Sequence, residues 1–176
     1  LTTYRSLEFP NMLWLEAETA DGIVGLGETF YAAEAVEAYV HANLAPIVLG
    51  MSAVDIEAVH YRTRPYVGFV AASTELRARS ALDIALWDAL GKVTGQPISV
   101  LLGGRIRSQI SVYNTCAGNQ YVRGTKLGTT ENFGISSSGT DQNYEDLDRF
   151  LNDPVGLAGS LLDMGIDSMK IWPFDF

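Results

Sequence analysis

Residues 12–19 (MLWLEAET) alternate between apolar and polar positions with the period of two that marks a strand. Residues 23–28 (IVGLGE) read as the returning strand after Asp21-Gly22, a dipeptide that favours a tight hairpin turn. The period then changes. Val36, Tyr39 and Val40 share one face of a helix expected over 32–44, which the stretch 46–50, beginning with Pro46, interrupts. A second helix is expected over 53–61, with Asp55 and Glu57 in its first turns, where the helix dipole favours acids. Residues 63–73 contain Pro65 and Gly68 and read as a loop before a long helix over 74–93. Residues 1–9 do not read as a natural start and can lie inside an element. The pattern predicts an antiparallel sheet followed by helices, an α+β unit over 1–104.

The pattern differs over 105–176. Residues 109–114 (QISVYN) predict a strand, 116–142 a long polar loop rich in Gly, Ser, Thr and Asn, and 143–151 a short helix. Asp153 is placed to cap another helix whose first residue is Pro154 and which Gly165 closes. Residues 168–172 (SMKIW) predict a second strand. Strand, loop, helix, strand is one right-handed crossover of a parallel sheet.

The most informative stretch is 78–103 (ARSALDIALWDALGKVTGQPISVLLG). Ala78, Ala81, Ala85 and Ala89 leave one helical stripe almost bare, so a neighbouring element can pack close to the backbone. Leu82, Leu86 and Leu90 make a second stripe. Asp83 and Asp88 are acids among apolar positions and need partners if buried. Gly91 or Gly95 can stop the helix, and Pro97 forbids its simple continuation.

Charge and composition narrow the classes of partner. The chain has 176 residues and a net charge of −9, which argues against nucleic acid and anionic membrane surfaces. Its single cysteine, Cys116, allows no intrachain disulfide and fits a reducing, cytoplasmic compartment. No apolar run approaches the ~20 residues that a bilayer span needs, and no signal peptide is visible.

Each candidate for chemistry has a plain structural alternative. Lys170 and Trp172 are two apart on the second strand and share a face, while Met169 and Ile171 point the other way. In a parallel barrel one pair lies inside and the other under the helices, and catalytic groups sit at the C-terminal strand ends. Alternatively, Lys170 snorkels at a strand end or lies on the outer face. Gly22, Gly25 and Gly27 superficially resemble a phosphate loop, but they lie in a hairpin, where a tight turn and close packing explain them better. His41 and His60 lie on separate helices without a second ligand at metal spacing and read as surface or cap histidines. Glu34, Glu37, Asp55 and Glu57 read as solvated helix faces. Cys116 follows the first strand of the second region and could line a pocket, with nothing adjacent to mark it as a nucleophile. Phe30 and Tyr31, placed in a loop after the returning strand, read equally as a pocket wall or as packing.

The run 78–103 resembles the signature of the mandelate racemase and muconate-lactonizing branch of the enolase superfamily. The likeness rests on Ala78, Ser80-Ala81-Leu82-Asp83, Ala85-Leu86, Asp88, Gly91-Lys92, Pro97-Ile98 and Leu101-Leu102-Gly103. DGIVGLGET (21–29) is similar to the hairpin of that family's capping domain. Tyr113-Asn114-Thr115-Cys116 sits where the first barrel strand ends, and MKIWPFD (169–175) resembles the end of the second. The resemblance implies an α+β capping domain, 1–104, followed by the first βα units of a modified TIM-like barrel, 105–176, with the barrel incomplete in this chain. It also implies Mg²⁺ held by acids on later strands, with the ligands outside this chain, and a base that removes the proton α to a carboxylate. Positive charge is needed because the dianionic enediolate must be stabilised.

Many family members carry Lys-x-Lys on the second strand, the second lysine being the base. Here the pair is Lys170-x-Trp172, so the resemblance implies an electrostatic role for Lys170 and a base elsewhere. That favours an acid-sugar (aldonate or aldarate) dehydratase acting on a small carboxylate, with a homo-oligomer expected. Asn114, Cys116, Phe30, Tyr31 and Trp172 are the expected substrate-pocket residues. The alternatives are a racemase or cycloisomerase of the same superfamily, or a non-catalytic truncated or degenerate member.

Overall fold

Strand β1 (Thr2–Arg5) pairs antiparallel with β2 (Met12–Glu18), and β2 with β3 (Val24–Phe30), giving the order β1-β2-β3. The computed structural model describes residues 1–64, 73–117 and 146–171. These fall into two compact units, Leu1–Ile106 and Arg107–Phe176. In the first, the alternation of β2 buries Leu13, Leu15 and Ala17 on one face. Residues near the start are already part of the sheet: Thr3 lies opposite Leu15. The returning strand runs two residues beyond the expected end, so Phe30 closes β3 and does not belong to a loop.

Helix α1 (Ala33–Tyr39) runs into a π-helical turn, Val40–Leu44, and then α2 (Ala45–Val48). Pro46 therefore does not end the helical path, contrary to the sequence expectation. It stands in the first turn of α2, directly after the π-helical turn, and the helical path continues through it. Helix α3 (Ile56–Arg62) begins three residues later than its periodicity suggests, with Asp55 at the N-cap. The expected loop over 63–73 falls mostly on residues 65–72, outside the described residues.

Helix α4 (Thr74–Thr94) is the spine of the unit. It ends at Gly95, whose φ of 64° and ψ of 24° are left-handed, so Gly95 and not Gly91 is the stop. A short helix α5 (Ile98–Leu101) follows Pro97. Ala78, Ala81, Ala85 and Ala89 are all buried, and the bare stripe they form lies against β3. A Cβ added at Gly25 would overlap the Ala85 carbonyl and come within 2.8 Å of the Ala89 Cβ. At Gly27 it would overlap the Ala81 carbonyl. The two glycines of the hairpin strand are thus close-packing residues. The core adds Val36, Val40, Leu44, Ile56, Val59, Leu82 and Leu86.

In the second unit, helix α6 (Asp146–Asn152) precedes α7 (Pro154–Asp163). The Asp153 carboxylate accepts the Gly156 amide at 3.0 Å, and Pro154 takes the first helical position. The expected strands 109–114 and 168–172 are reduced, among the described residues, to a single parallel bridge between Asn114 and Met169. Ile110 and Val112 are exposed at 79% and 58%, so the apolar faces that would drive a ladder find no partner among the described residues. Most of the expected polar loop, 118–145, and Trp172 lie outside the described residues. The core of this unit is Cys116, Leu157 and Leu161, with Phe150, Ile166 and Met169 packed against it.

Candidate functional site

The sequence candidates fall into two groups, one in each unit. In the first unit, Phe30 and Tyr31 form the corner between β3 and α1. Their rings meet edge to face with centroids 4.3 Å apart. Tyr31 (φ 75°) and Ala32 (φ 51°) are both left-handed, a conformation that costs non-glycine residues energy and must be held in place. Two contacts hold it. The Tyr31 amide donates to the carbonyl of Asn11 at 2.9 Å. The Arg77 guanidinium donates to the Phe30 carbonyl and lies 5.2 Å from the Tyr31 ring centroid, a cation–π contact. Arg77 escaped the sequence reading because its partners are 46 and 47 positions away. Arg77 shares a stripe of α4 with Asp88, eleven residues later, but that spacing does not point to Phe30 or Tyr31.

A cavity of about 600 Å³ lies at the other end of the sheet, lined by Ala17, Val48, Met51, Val59 and Leu82 among others. Neither Phe30 nor Tyr31 borders it.

In the second unit, the parallel bridge sets the geometry. The Asn114 amide donates to the Ser168 carbonyl at 3.0 Å, and the Lys170 amide donates to the Asn114 carbonyl at 2.7 Å. The Asn114 side chain is engaged at both ends: Oδ1 accepts the Cys116 amide at 2.6 Å, and Nδ2 donates to Asp146 Oδ2 at 2.9 Å. Asn114 therefore orients the turn after the first strand segment and ties it to α6. Asp146 was missed in the sequence because its partner is 32 residues away. Cys116 is fully buried with φ of 53°. Burial pushes its thiol pKa up from the ordinary 9.0, and the nearby Asp146 carboxylate adds to the rise. A thiol in that state is a packing group and a poor nucleophile.

Met169 packs against Leu157 and Leu161 of α7, so this face of the segment lies under the helix. Lys170, next in the chain, is exposed. The strand alternation therefore carries Lys170 to the face away from α7. Among the described residues no group of three or more His, Cys, Asp or Glu could hold a metal ion. Likewise, no helix is long and apolar enough to cross a membrane.

Both histidines and several acids of the first unit have partners. Asp83 lies 3.6 Å from His60 Nε2. Thr3 Oγ1 is 2.8 Å from His41 Nε2 and donates to Glu37. Glu34 and Glu37 pair with Arg5, so they anchor β1 to α1 and are more than a solvated face.

Residues 3–103 match the family model described as "Mandelate racemase / muconate lactonizing enzyme, N-terminal domain". The chain belongs to this family. Residues 3–103 are its α+β N-terminal domain, and the helices and parallel bridge beyond them are consistent with the start of a (β/α) barrel. D-galactonate dehydratases of Verminephrobacter eiseniae and Pectobacterium atrosepticum are 36% and 38% identical over 125 residues, 68% of this chain and 31% of each relative. A crystal structure of an enolase of the mandelate racemase subgroup from Agrobacterium tumefaciens superposes with a TM-score of 0.72 and 40% identity. That match covers 98% of this chain and 37% of that one. Muconate lactonizing enzyme from Pseudomonas putida is more distant, with a TM-score of 0.53 and 31% identity over 64% of this chain and 32% of that one. The chain thus spans about a third of the length of the relatives it matches.

Proposed function

We propose that this chain is the N-terminal part of an enzyme that removes the proton α to a carboxylate through an enediolate, with dehydration of an acid sugar as its reaction. Membership of the family supports the reaction class. The similarity to D-galactonate dehydratases supports dehydration over racemisation. The observation that carries a role for this chain is the placement of Lys170. With Met169 packed against Leu157 and Leu161 and Lys170 exposed beside the parallel bridge, Lys170 would lie on the opposite face at the end of a barrel strand, from which barrel residues reach a substrate. Its ammonium would bind the carboxylate or stabilise the negative charge that develops when the α-proton leaves. Trp172, two residues on, would border the same pocket, and it has no group able to take a proton from carbon. Asn114 and Cys116 would shape that pocket from the neighbouring strand end, and Phe30 and Tyr31 are the substrate-pocket candidates of the N-terminal domain.

Mg²⁺ is the metal that family membership suggests. The described residues form no site for it, and its ligands would come from outside this chain. The complete protein would act in the cytoplasm as a homo-oligomer on a small carboxylate.

The test is a screen of aldonates and aldarates with the full-length protein and Mg²⁺, following both dehydration and exchange of the α-proton in D₂O. Dehydration of at least one acid sugar is expected. K170M is expected to lower kcat by about 10²–10³, the range for losing one charge-stabilising donor, and K170R to recover part of it. Racemisation or cycloisomerisation without dehydration would select a different reaction of the superfamily. Absence of both turnover and exchange would refute the proposal.

A further inference from the structure

β3 is the outer strand of the three-stranded sheet, so among the described residues one side of its backbone has no strand beside it. The Thr19 amide donates to the Ile23 carbonyl at 2.8 Å, which turns that carbonyl toward β2. By alternation, the carbonyls of Val24 and Phe30 and the amide of Leu26 point the other way, to the open edge. All three are bound by side chains of α4. Lys92 Nζ donates to the Val24 carbonyl at 2.7 Å, and the Leu26 amide donates to Asp88 Oδ2, also at 2.7 Å. Arg77 donates to the Phe30 carbonyl. Residues 77, 88 and 92 recur at intervals of eleven and four, which keeps them on one stripe of the helix.

The pairing at Val24 and Leu26 has a specific form. In a parallel ladder, a single residue of the incoming strand gives its N–H to the carbonyl of residue i−1 and receives the N–H of residue i+1. With Gly25 as residue i, those two groups are the Val24 carbonyl and the Leu26 amide. Lys92 supplies the N–H, and Asp88 supplies the oxygen. The two side chains are themselves joined at 2.6 Å, so donor and acceptor are held as one unit. We infer that the Asp88–Lys92 pair is a strand surrogate: it takes the place of one residue of a parallel β-strand and closes the edge of β3 against pairing with a second copy of this chain. An open edge is a template for strand addition, and filling its hydrogen bonds with side chains removes the template.

The experiment compares the full chain with its D88A/K92A variant by amide hydrogen exchange and sedimentation over a range of concentrations. At low concentration the Leu26 amide of the variant is expected to exchange about tenfold faster, the equivalent of one lost hydrogen bond. As concentration rises, that amide should become protected again, with a dimer that the parent does not form. Leu26 exchange within about twofold of the parent, or no renewed protection at high concentration, overturns the inference. If the double variant does not fold, K92M is read instead. Removing the ammonium that positions the Asp88 carboxylate should still speed Leu26 exchange, and an unchanged rate overturns the inference. D88N separates hydrogen bonding from charge, since its side-chain oxygen can still accept. Retained protection of Leu26 in D88N is expected, and loss equal to that of D88A/K92A would overturn the inference by reducing the pair to an ordinary ion pair.

Discussion

Replacing Gly27 by alanine adds one methyl group at the tightest point between sheet and helix. The new Cβ would overlap the Ala81 carbonyl oxygen and come within 2.9 Å of the Ala81 carbonyl carbon and 3.1 Å of the Ala85 nitrogen. All three are backbone atoms in the middle of a helix of 21 residues, so no rotamer change relieves the contact. Either β3 or α4 must move, which pulls Leu13, Leu15, Leu82 and Leu86 out of register in the core. Overpacking costs about 1–3 kcal/mol, and backbone overlap belongs at the upper end. Loss of glycine's freedom in the unfolded chain returns up to about 1 kcal/mol. The net expectation is a loss of about 2 kcal/mol, a large share of the stability of a domain this size. Urea unfolding followed by circular dichroism and tryptophan fluorescence reads it, with Trp14 on β2 and Trp87 on α4 as reporters. The midpoint should fall by about 1 M or more, with little change in slope. A81G is the control: it removes the Ala81 side chain and leaves its carbonyl, so it should add its own cost to G27A without relieving it. If G27A is as stable as the parent to within about 0.5 kcal/mol, or A81G restores it, the close approach of α4 to β3 is not what fixes glycine at this position.

Three further outcomes are expected. Partial burial pushes the Asp88 carboxyl up, but the Lys92 hydrogen bond, the Leu26 amide and the Lys92 charge outweigh it and leave its pKa below the ordinary 3.8. The stability it contributes is therefore complete above the unfolded pKa of about 4 and is lost as pH falls through the lower folded value. Urea titrations from pH 6 down to pH 2 should show the parent losing more stability than D88N. D153A removes the cap on the Gly156 amide and should cost α7 about 1 kcal/mol, seen as faster exchange of that amide, while an unchanged rate would deny the cap any energetic role. Cys116 is buried with a raised thiol pKa, so a thiol reagent should label the native chain at least about 100-fold more slowly than the urea-unfolded chain. Comparable rates would contradict its burial.

Period and turn chemistry were legible where one residue decides the local structure. The alternation of 12–19, the Asp21-Gly22 turn and the Asp153-Pro154 start of α7 are each fixed by neighbours within a few positions, whereas the sequence left Gly91 and Gly95 both open as the stop of α4. The misplaced boundaries have equally local causes that pattern alone does not carry. Pro46 reads as a breaker, yet it follows a π-helical turn and the helical path continues through it. The strands at 109–114 and 168–172 fail differently. A strand exists only beside a partner, and sequence shows the apolar alternation without the ladder. In the candidate sites, Phe30, Tyr31, Asn114 and Lys170 could be named from the chain. Arg77 and Asp146, which hold them, could not, because each acts across 32 or more residues.

The signature run 78–103 holds none of the candidate site residues, and the structure gives it a physical meaning. Ala81, Ala85 and Ala89 let the backbone of α4 rest against Gly25 and Gly27. That approach is what brings a side chain as short as aspartate within 2.7 Å of the Leu26 amide. Small residues, glycines and the Asp88–Lys92 pair are therefore one device, and each part fails without the others. A larger residue at position 27 would push the helix outward and lengthen the Asp88 contact, so G27A should speed exchange of the Leu26 amide as well as lower global stability. Arg77, on the same stripe, carries the registration of α4 on β3 to the far end of the strand, where it holds the left-handed corner at Tyr31. A packing motif near the middle of the chain thus sets the position of the Phe30–Tyr31 corner.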